Sequence, residues 1–401
     1  MAWEVKKLGD VVIIERGGSP RPIQKYLTTS SEGINWIKIS DATASDKYIY
    51  ETKQKITKEG LVKTRLVNKG DFILSNSMSF GRPYIMKITG AIHDGWLVLR
   101  QKDEKLFETE FLYYLLSSPY VFQQFNYLAS GSTVRNLNIT LVSSVKVPIP
   151  PLPIQKKIVE VLDSAFEKIA KAKENSEANL KNAKEVFESY LQSVFENKGE
   201  GWEEKNLGNI LVKTETINPT NIPDKSFEYI DVSSVNNKTF LIESTSIINS
   251  ANAPSRARKL VKKGDIIFAT VRPTLKRIAI IPNNLNEQIC STGYFVLRSK
   301  ENIVNKLIFY YLQTYRFMLN MEKLQKGASY PAVTDSQVKE QTLVYPKSLE
   351  EQKAIVSKLD NLSEQTKQLE SIYSQKLSSL EELKQSILQK AFKGELTEVE
   401  A

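Results

Sequence analysis

A segment of about forty residues occurs twice in this chain, and the repetition limits the fold more than any other feature. The first copy begins IQKKIVEVLDSAFEKIAKAKENSE at Ile154 and closes NLKNAKEVFESYLQSVFENKG. The second begins EQKAIVSKLDNLSEQTKQLESIYS at Glu351 and closes KLSSLEELKQSILQKAFKGEL. The offset is 197 residues throughout, through Gln155/Gln352, Leu162/Leu359, Asp163/Asp360, Leu191/Leu388 and Phe195/Phe392. No insertion separates the copies, so both must have one length. Neither contains Pro or an internal Gly beyond its first residues, and both are rich in Lys, Glu, Gln, Leu and Ala, which favour helix. In the second copy Leu359, Leu362, Thr366, Leu369, Tyr373, Leu380, Leu383, Ile387 and Ala391 follow steps of three and four, with one step falling on Lys376 beside Leu377. In the first, Ile158, Leu162, Ala165, Ile169, Ala172, Ser176, Ala183, Val186, Tyr190 and Val194 do the same. This is the a/d seam of a coiled coil. At 1.5 Å per residue each helix spans roughly 60 Å. Two such helices in one chain pack most simply on each other, with Ile158, Leu162, Ile169, Leu359, Leu362, Leu369, Leu383 and Ile387 as the expected packing residues.

The repetition extends beyond the helices. WEVKKLGDVV at Trp3 is matched by WEEKNLGNIL at Trp202, LVNKGDFIL at 66–74 by LVKKGDIIF at 260–268, and GWLVLR at 95–100 by GYFVLR at 293–298. FLYYLLSSPYVFQQF at 111–125 is matched by LIFYYLQTYRFMLNM at 307–321. One unit of about 200 residues is therefore used twice: a block at 1–150, a helix at 151–201, a block at 202–349 and a helix at 350–401. Each block ends in a Pro-containing strand, where Pro stops the strand and introduces the helix. Inside the first block, short strands are expected at 10–15, 34–39, 71–74, 84–88 and 96–99, and one amphipathic helix at 111–125. The fold class is α+β, each block a curved sheet with helices on one side.

Net charge follows the same division. The 401 residues carry +9, with 41% hydrophobic and 25% charged residues. Residues 1–150 hold 20 Lys/Arg against 14 Asp/Glu (+6), and 202–349 hold 20 against 13 (+7). The helices at 151–201 (8 against 9) and 350–401 (7 against 10) are neutral to acidic. A polyanion partner for the blocks is the natural reading; solubility alone is the plainer one. No apolar run approaches the ~18 residues of a membrane span, and MAWEVKKLGDVV has no signal-peptide core. A single cysteine, Cys290, cannot form an internal disulfide, which fits a reducing cytoplasm.

The catalytic inventory is nearly empty. His93 is the one histidine, too isolated from Cys290 for a His/Cys zinc site, and no metal ligand set is expected. His93 is read as a hydrogen-bonded structural or base-reading residue, and Cys290 as a small buried apolar one. Gly-Lys never occurs, so there is no Walker loop. There is no G-x-G-x-x-G, and no Asn/Asp-Pro-Pro-aromatic run of the kind that methylates a flipped amino base. Catalytic residues and a cofactor of the chain's own are therefore not expected.

What the blocks do offer are divergent polar, basic loops on the shared frame, the pattern of two readers with different ligands. The candidate DNA contacts in the first block are Arg21, Asn76, Ser77, Ser79, Arg82, His93, Ser132, Thr133, Arg135 and Asn136. In the second they are Arg256, Arg258, Lys259, Thr270, Arg272, Lys276, Arg277, Ser329 and Tyr330. Arg addresses guanine bidentately and Asn adenine, whereas Ser, Thr and Lys mostly hold phosphates. For any one of these, a solvated loop is the competing account.

With W-x-x-K-x-L-G at each block start, P-[LI]-x-x-Q-x-x-I at each helix entry (PLPIQKKI first, and SLEEQKAI second with Ser in place of the Pro) and QKAFKGELT at 389–397, the chain resembles the specificity (S) subunits of type I restriction-modification systems. The interior copy, QSVFENKGEGW, departs mildly from the final motif, and PKSLEEQ lacks the doubled proline of PPLPIQ. The resemblance implies two target recognition domains, each reading one half of a bipartite, asymmetric site on double-stranded DNA. It implies an antiparallel coiled coil that sets the half-site spacing, with internal pseudo-twofold symmetry. It also implies two modification subunits that hold S-adenosylmethionine and methylate adenine at N6. Two restriction subunits would add ATP/Mg-dependent translocation and cleavage. The S subunit itself would be non-catalytic. The alternatives are a coiled-coil scaffold whose basic blocks serve solubility, and an orphan S subunit that has lost its restriction partners.

Overall fold

The computed structural model describes residues 3–76, 80–129, 136–222 and 225–396. The chain separates into two compact units, Met1–Ser176 with Gln375–Ala401, and Glu177–Ser374. Each unit thus takes one block, the near half of the helix that follows it and the far half of the other long helix. The two helices run Leu152–Glu196 and Leu349–Lys393, 45 residues each, about 67 Å at 1.5 Å per residue. Equal length, inferred from the gapless repeat, is what the structure has.

In the first unit the block closes on itself through a two-stranded ladder, Glu4–Lys7 against Lys146–Ile149. Beyond it lie two five-stranded sheets. One orders 12–16, 96–101, 72–75, 83–86 and 48–49; the other orders 27–28, 54–56, 34–37, 90–92 and 65–67. Two sheets replace the single curved sheet expected, because short strands at 27–28, 54–56, 65–67 and 90–92 carry too few alternating residues to announce themselves. The expected helix at 111–125 is two helices, Thr109–Ser117 and Pro119–Leu128. Pro119 cannot donate a backbone hydrogen bond, so it begins a new helix at N1, and the Ser118 side chain caps it by accepting from Val121 N–H.

The second unit repeats the closing ladder, Trp202–Asn206 against Thr342–Pro346. Its sheets are smaller: 246–249, 226–230, 288–291 and 257–261 in one, 278–280, 266–269 and 294–297 in the other. Helices Asn305–Tyr311 and Tyr315–Leu324 match the broken pair of the first unit.

The matched sequence motifs are the parts that hold each block together. In the GD motif, Gly70 and Gly264 sit at φ +96° and +85°, a conformation glycine adopts at little cost. The following carboxylate caps the turn, Asp71 accepting from Asn68 N–H and Asp265 from Lys262 N–H, both at 2.8 Å. The Arg that ends the VLR motif then binds that carboxylate: Arg100 to Asp71 at 2.9 Å, Arg298 to Asp265 through two bonds of 2.7 Å.

At each helix entry the motif glutamine is fully buried. Gln155 accepts from Glu108 N–H (2.8 Å) and donates to the carbonyls of Leu106 (2.9 Å) and Pro150 (2.8 Å). Gln352 accepts from Val304 N–H (2.8 Å) and donates to Asn302 (3.2 Å) and Pro346 (2.9 Å). Three main-chain groups that burial would otherwise leave unpaired are satisfied by one side chain.

The start of one long helix meets the end of the other inside each unit. Ile158, Val159 and Leu162 share a core with Leu388, Ala391 and Phe392 in the first. Leu191 and Phe195 share one with Val356 and Leu359 in the second. The pairing is therefore antiparallel. Ile158, Leu162 and Leu359 are buried, and Ile169, Leu362 and Ile387 are half-buried. Leu369 and Leu383 are not in the seam: they are 39% and 48% exposed. The seam steps from Thr366 to Glu370 and from Leu380 to Lys384 instead, since 3.6 residues per turn drifts against a strict 3.5 repeat. Lys384 lays its stem there and brings its ammonium 5.4 Å from the centre of the Phe166 ring. No helix among the described residues is long and apolar enough to cross a membrane.

Candidate nucleic-acid interface

In each unit the strand of the GD motif runs out at the same end of its sheet as the strand that starts GWLVLR or GYFVLR begins, and the divergent loops gather there. In the first unit Asn76 N–H donates to Gly95 C=O (3.0 Å), and Leu137 N–H donates to Asn76 C=O (2.8 Å). In the second, Thr270 N–H donates to Gly293 C=O (2.8 Å) and Val333 N–H to Thr270 C=O (3.0 Å). Position 76 of one block is therefore position 270 of the other, and both are buried. The Asn76 amide donates to Asp94 C=O at 2.8 Å, and the Thr270 hydroxyl donates to Gly293 C=O at 3.1 Å. Their side chains pin the loops from beneath.

Above Asn76 the first unit gathers Ser19, Arg21, His93 and Asp94. Ser19 Oγ donates to the Asp94 carboxylate at 2.7 Å, and Arg21 faces that carboxylate at 3.6 Å with its own side chain 84% exposed. The Ser19 bond, the loop's main chain, His93 and Arg21 together hold the Asp94 carboxyl below its ordinary range. His93 accepts from Gly95 N–H on Nδ1 (2.9 Å) and lies between Trp36 and Trp96 with ring centres 6.1 Å from each. Burial lowers its pKa, so the imidazole is held neutral. Ser19 and Asp94 were not among the residues read from the sequence, although Asp94 stands in the divergent AIHDG loop beside His93. Asn136 is half-buried next to this group. Ser77, Ser79, Ser132, Thr133 and Arg135 lie outside the described residues.

Arg82 belongs to a different place. Its guanidinium pairs with Asp46 at 3.3 Å and lies 5.2 Å from the Tyr84 ring centre. It lines a cavity of about 580 Å³ shared with Tyr113, Phe122, Phe166 and Leu388.

The second unit brings Arg272, Ser329 and Tyr330 together. Arg272 is exposed, its ring contact to Tyr330 is 4.9 Å, and Nη2 donates to Ser329 C=O at 3.2 Å. Its backbone is held in the left-handed region (φ +51°) by a 2.6 Å bond from its N–H to Pro331 C=O. Arg256 is exposed nearby, its carbonyl accepting from Thr292 N–H at 2.8 Å. Other basic residues of this block are engaged inside it. Arg258 donates to the carbonyls of Pro254 and Ala257, Arg277 to those of Val232 and Val235, and Lys259 pairs with Asp335 at 2.8 Å. Lys276 lines a cavity of about 1090 Å³ with Phe240, Phe309 and Tyr310. Cys290 is fully buried, and burial pushes its thiol up to about 12. Among the described residues no cluster of His, Cys, Asp and Glu could hold a metal ion.

A frame used twice, carrying two unlike sets of exposed Arg, aromatic and polar groups, defines a protein that presents two separate reading surfaces. The family model for the type I restriction modification DNA specificity domain matches the chain twice, over residues 2–181 and 199–379, and the chain belongs to that family. Relatives include the type I restriction enzyme MjaIX specificity subunit of Methanocaldococcus jannaschii, 25% identical over 86% of this chain and 83% of that protein. The EcoBI specificity subunit of Escherichia coli is 23% identical over 73% of this chain and 67% of that protein. In fold, the chain is similar to one from a structure describing complex assembly and conformational transition of the type I R-M system (TM-score 0.78, 20% identity, 98% of both chains). It is also similar to the HsdS subunit of Thermoanaerobacter tengcongensis (TM-score 0.63, 21% identity, covering 98% of this chain and 97% of that one).

Proposed function

We propose that this chain is the DNA-targeting specificity subunit of a type I restriction-modification complex, in which each block reads one half of a bipartite, asymmetric site. The observation that carries the reading is the exposed Arg272–Tyr330 pair in one unit and the Arg21–Asp94 pair in the other, on different loops around the same end of a duplicated frame. Unlike groups carried at the same end of a shared frame are what two different half-sites call for. Arg256 joins Arg272 as a base or phosphate contact. Asn76 and Thr270 act by shaping the loops, and Arg258, Lys259 and Arg277 stiffen the block. The basic charge of both blocks adds sequence-independent attraction for phosphate.

The paired helices set the spacing of the half-sites and dock two adenine-N6 modification subunits. Leu369 and Ile372 in the second unit and Leu383 in the first leave apolar surface on the helices, which supports a protein partner there. S-adenosylmethionine would be held by those subunits, and two restriction subunits would add the ATP-dependent nuclease. The site of action is the cytoplasm.

The test is selection from a random duplex pool by the full chain assembled with its modification subunits. A bipartite motif with one dominant spacer is the expected result. Absence of any bound sequence, even with partners present, would favour a scaffold with merely soluble blocks. Removing residues 369–375 from the second helix alone should abolish binding to that motif. Retention of motif and spacer after the deletion would end the ruler interpretation.

A further inference from the structure

Each unit carries a second tie between block and helix, beyond the buried glutamine, and the two ties are equivalent through the repeat. In the first, the Tyr114 hydroxyl donates to the Asp163 carboxylate. In the second, the Tyr310 hydroxyl donates to the Asp360 carboxylate. The tyrosine comes from the helix of the block and the aspartate from the third turn of the long helix. Burial and the bonded carboxylate keep both phenols protonated, so each stays a donor.

The surroundings of the two ties differ in sign but are balanced in both. In the second unit Lys306 pairs with Asp360 at 2.8 Å. The equivalent position in the first unit is Glu110, whose carboxylate would repel Asp163. There Lys47 supplies the missing cation: it pairs with Glu110 and sits 4.8 Å from the ring centres of Tyr113 and Tyr114. Two different charge arrangements thus protect one hydrogen bond.

Gln155 and Gln352 fix the point where each long helix leaves its block. Ile158, Val159 and Leu162 also pack the first helix into its block's core, and Val356 and Leu359 the second, but non-directional apolar contacts set the helix angle less sharply than a directional bond does. A second directional attachment eight residues further along the helix, about two turns and about 12 Å at 1.5 Å per residue, sets that angle.

We infer that Tyr114–Asp163 and Tyr310–Asp360, acting with Gln155 and Gln352, hold each block at one angle on its helix, and that these tyrosines and aspartates are positioning residues setting the tolerance for half-site spacing. This rests on the bipartite-site reading. Loosening the angle would let a block reach half-sites displaced by a base pair while leaving its base contacts intact.

The experiment is the same duplex selection with the assembled complex, comparing wild type with Tyr114→Phe, Tyr310→Phe, Asp163→Leu and Asp163→Asn. Each tyrosine change deletes one oxygen and leaves the ring packing. The half-site consensus should stay as in wild type, while the share of bound duplexes with a spacer one base pair longer or shorter rises about three- to tenfold. Asp163→Asn, which keeps an acceptor, should retain the wild-type spacer. A uniform loss of binding with an unchanged spacer distribution would overturn the inference and leave the ties as ordinary stabilising bonds. Hydrogen exchange on the free chain supplies an independent check: Tyr114→Phe should speed exchange at 106–108 and 152–160, and unchanged protection there would also overturn it. If wild type selects no bipartite motif while the exchange result holds, the functional reading fails and the mechanical one stands.

Discussion

The Arg272 guanidinium lies 4.9 Å from the centre of the Tyr330 ring, and Tyr330 is itself 70% exposed. The ring contact and the bond from Nη2 to Ser329 C=O together hold the exposed guanidinium in place, as recognition by a preorganised arginine fork requires. Arg272→Ala should weaken binding to the selected site by about 1–3 kcal/mol and relax preference at one base pair. Tyr330→Ala should reproduce part of that loss by freeing the side chain. Competition titrations against single-base variants of the site check both; a loss equal on every sequence would mark Arg272 as a phosphate contact.

The helix seam separates two leucines that sequence spacing treats alike. Leu359 is fully buried in the second unit, so Leu359→Ala should cost about 2–5 kcal/mol. Leu383, 48% exposed, should cost no more than about 0.5 kcal/mol. Urea unfolding of the two variants measures the difference. Loss of assembly by Leu383→Ala with full stability would place that residue at a partner contact.

Gln155→Leu preserves bulk but strands Glu108 N–H and the carbonyls of Leu106 and Pro150. A destabilisation of at least about 2 kcal/mol is expected, since each buried group left unpaired costs about 1–3 kcal/mol. Gln352→Leu should behave alike, and denaturant midpoints compare them.

Burial, reinforced by Lys38 and opposed by Asp94 and Asp41, lowers the His93 pKa. On acidification the unfolded chain therefore takes up its proton first. The stabilisation is fully present above the unfolded value of about 6.5 and is lost as pH falls below it towards the folded value. His93→Gln should flatten stability against pH in that window, read from urea midpoints at a series of pH values. The Asp94 carboxyl, depressed in the fold, contributes separately above its unfolded value and loses that contribution at lower pH.

The amino-acid sequence by itself determined the duplication, the two equal helices and the shared frame. Those features are written locally: a 3.5–3.6 residue period, a gapless offset, Pro at each strand-to-helix joint, and a GD turn that needs a left-handed glycine. It also set out the charge division between blocks and helices. The tertiary structure alone decided which polar residues are free to meet a ligand. Arg258, Arg272 and Arg277 are indistinguishable as letters. Arg277 donates to the carbonyls of Val232 and Val235 and Arg272 faces outward against Tyr330, because only the folded chain brings 232–235 and 329–331 to them, whereas Arg258 turns back on the carbonyls of Pro254 and Ala257. The same holds for Asn76, which is buried beneath Asp94 and shapes a loop, and for Leu369 and Leu383, which a one-residue drift of the seam turns to solvent. Burial and partnership are long-range properties, set by residues that local spacing cannot place.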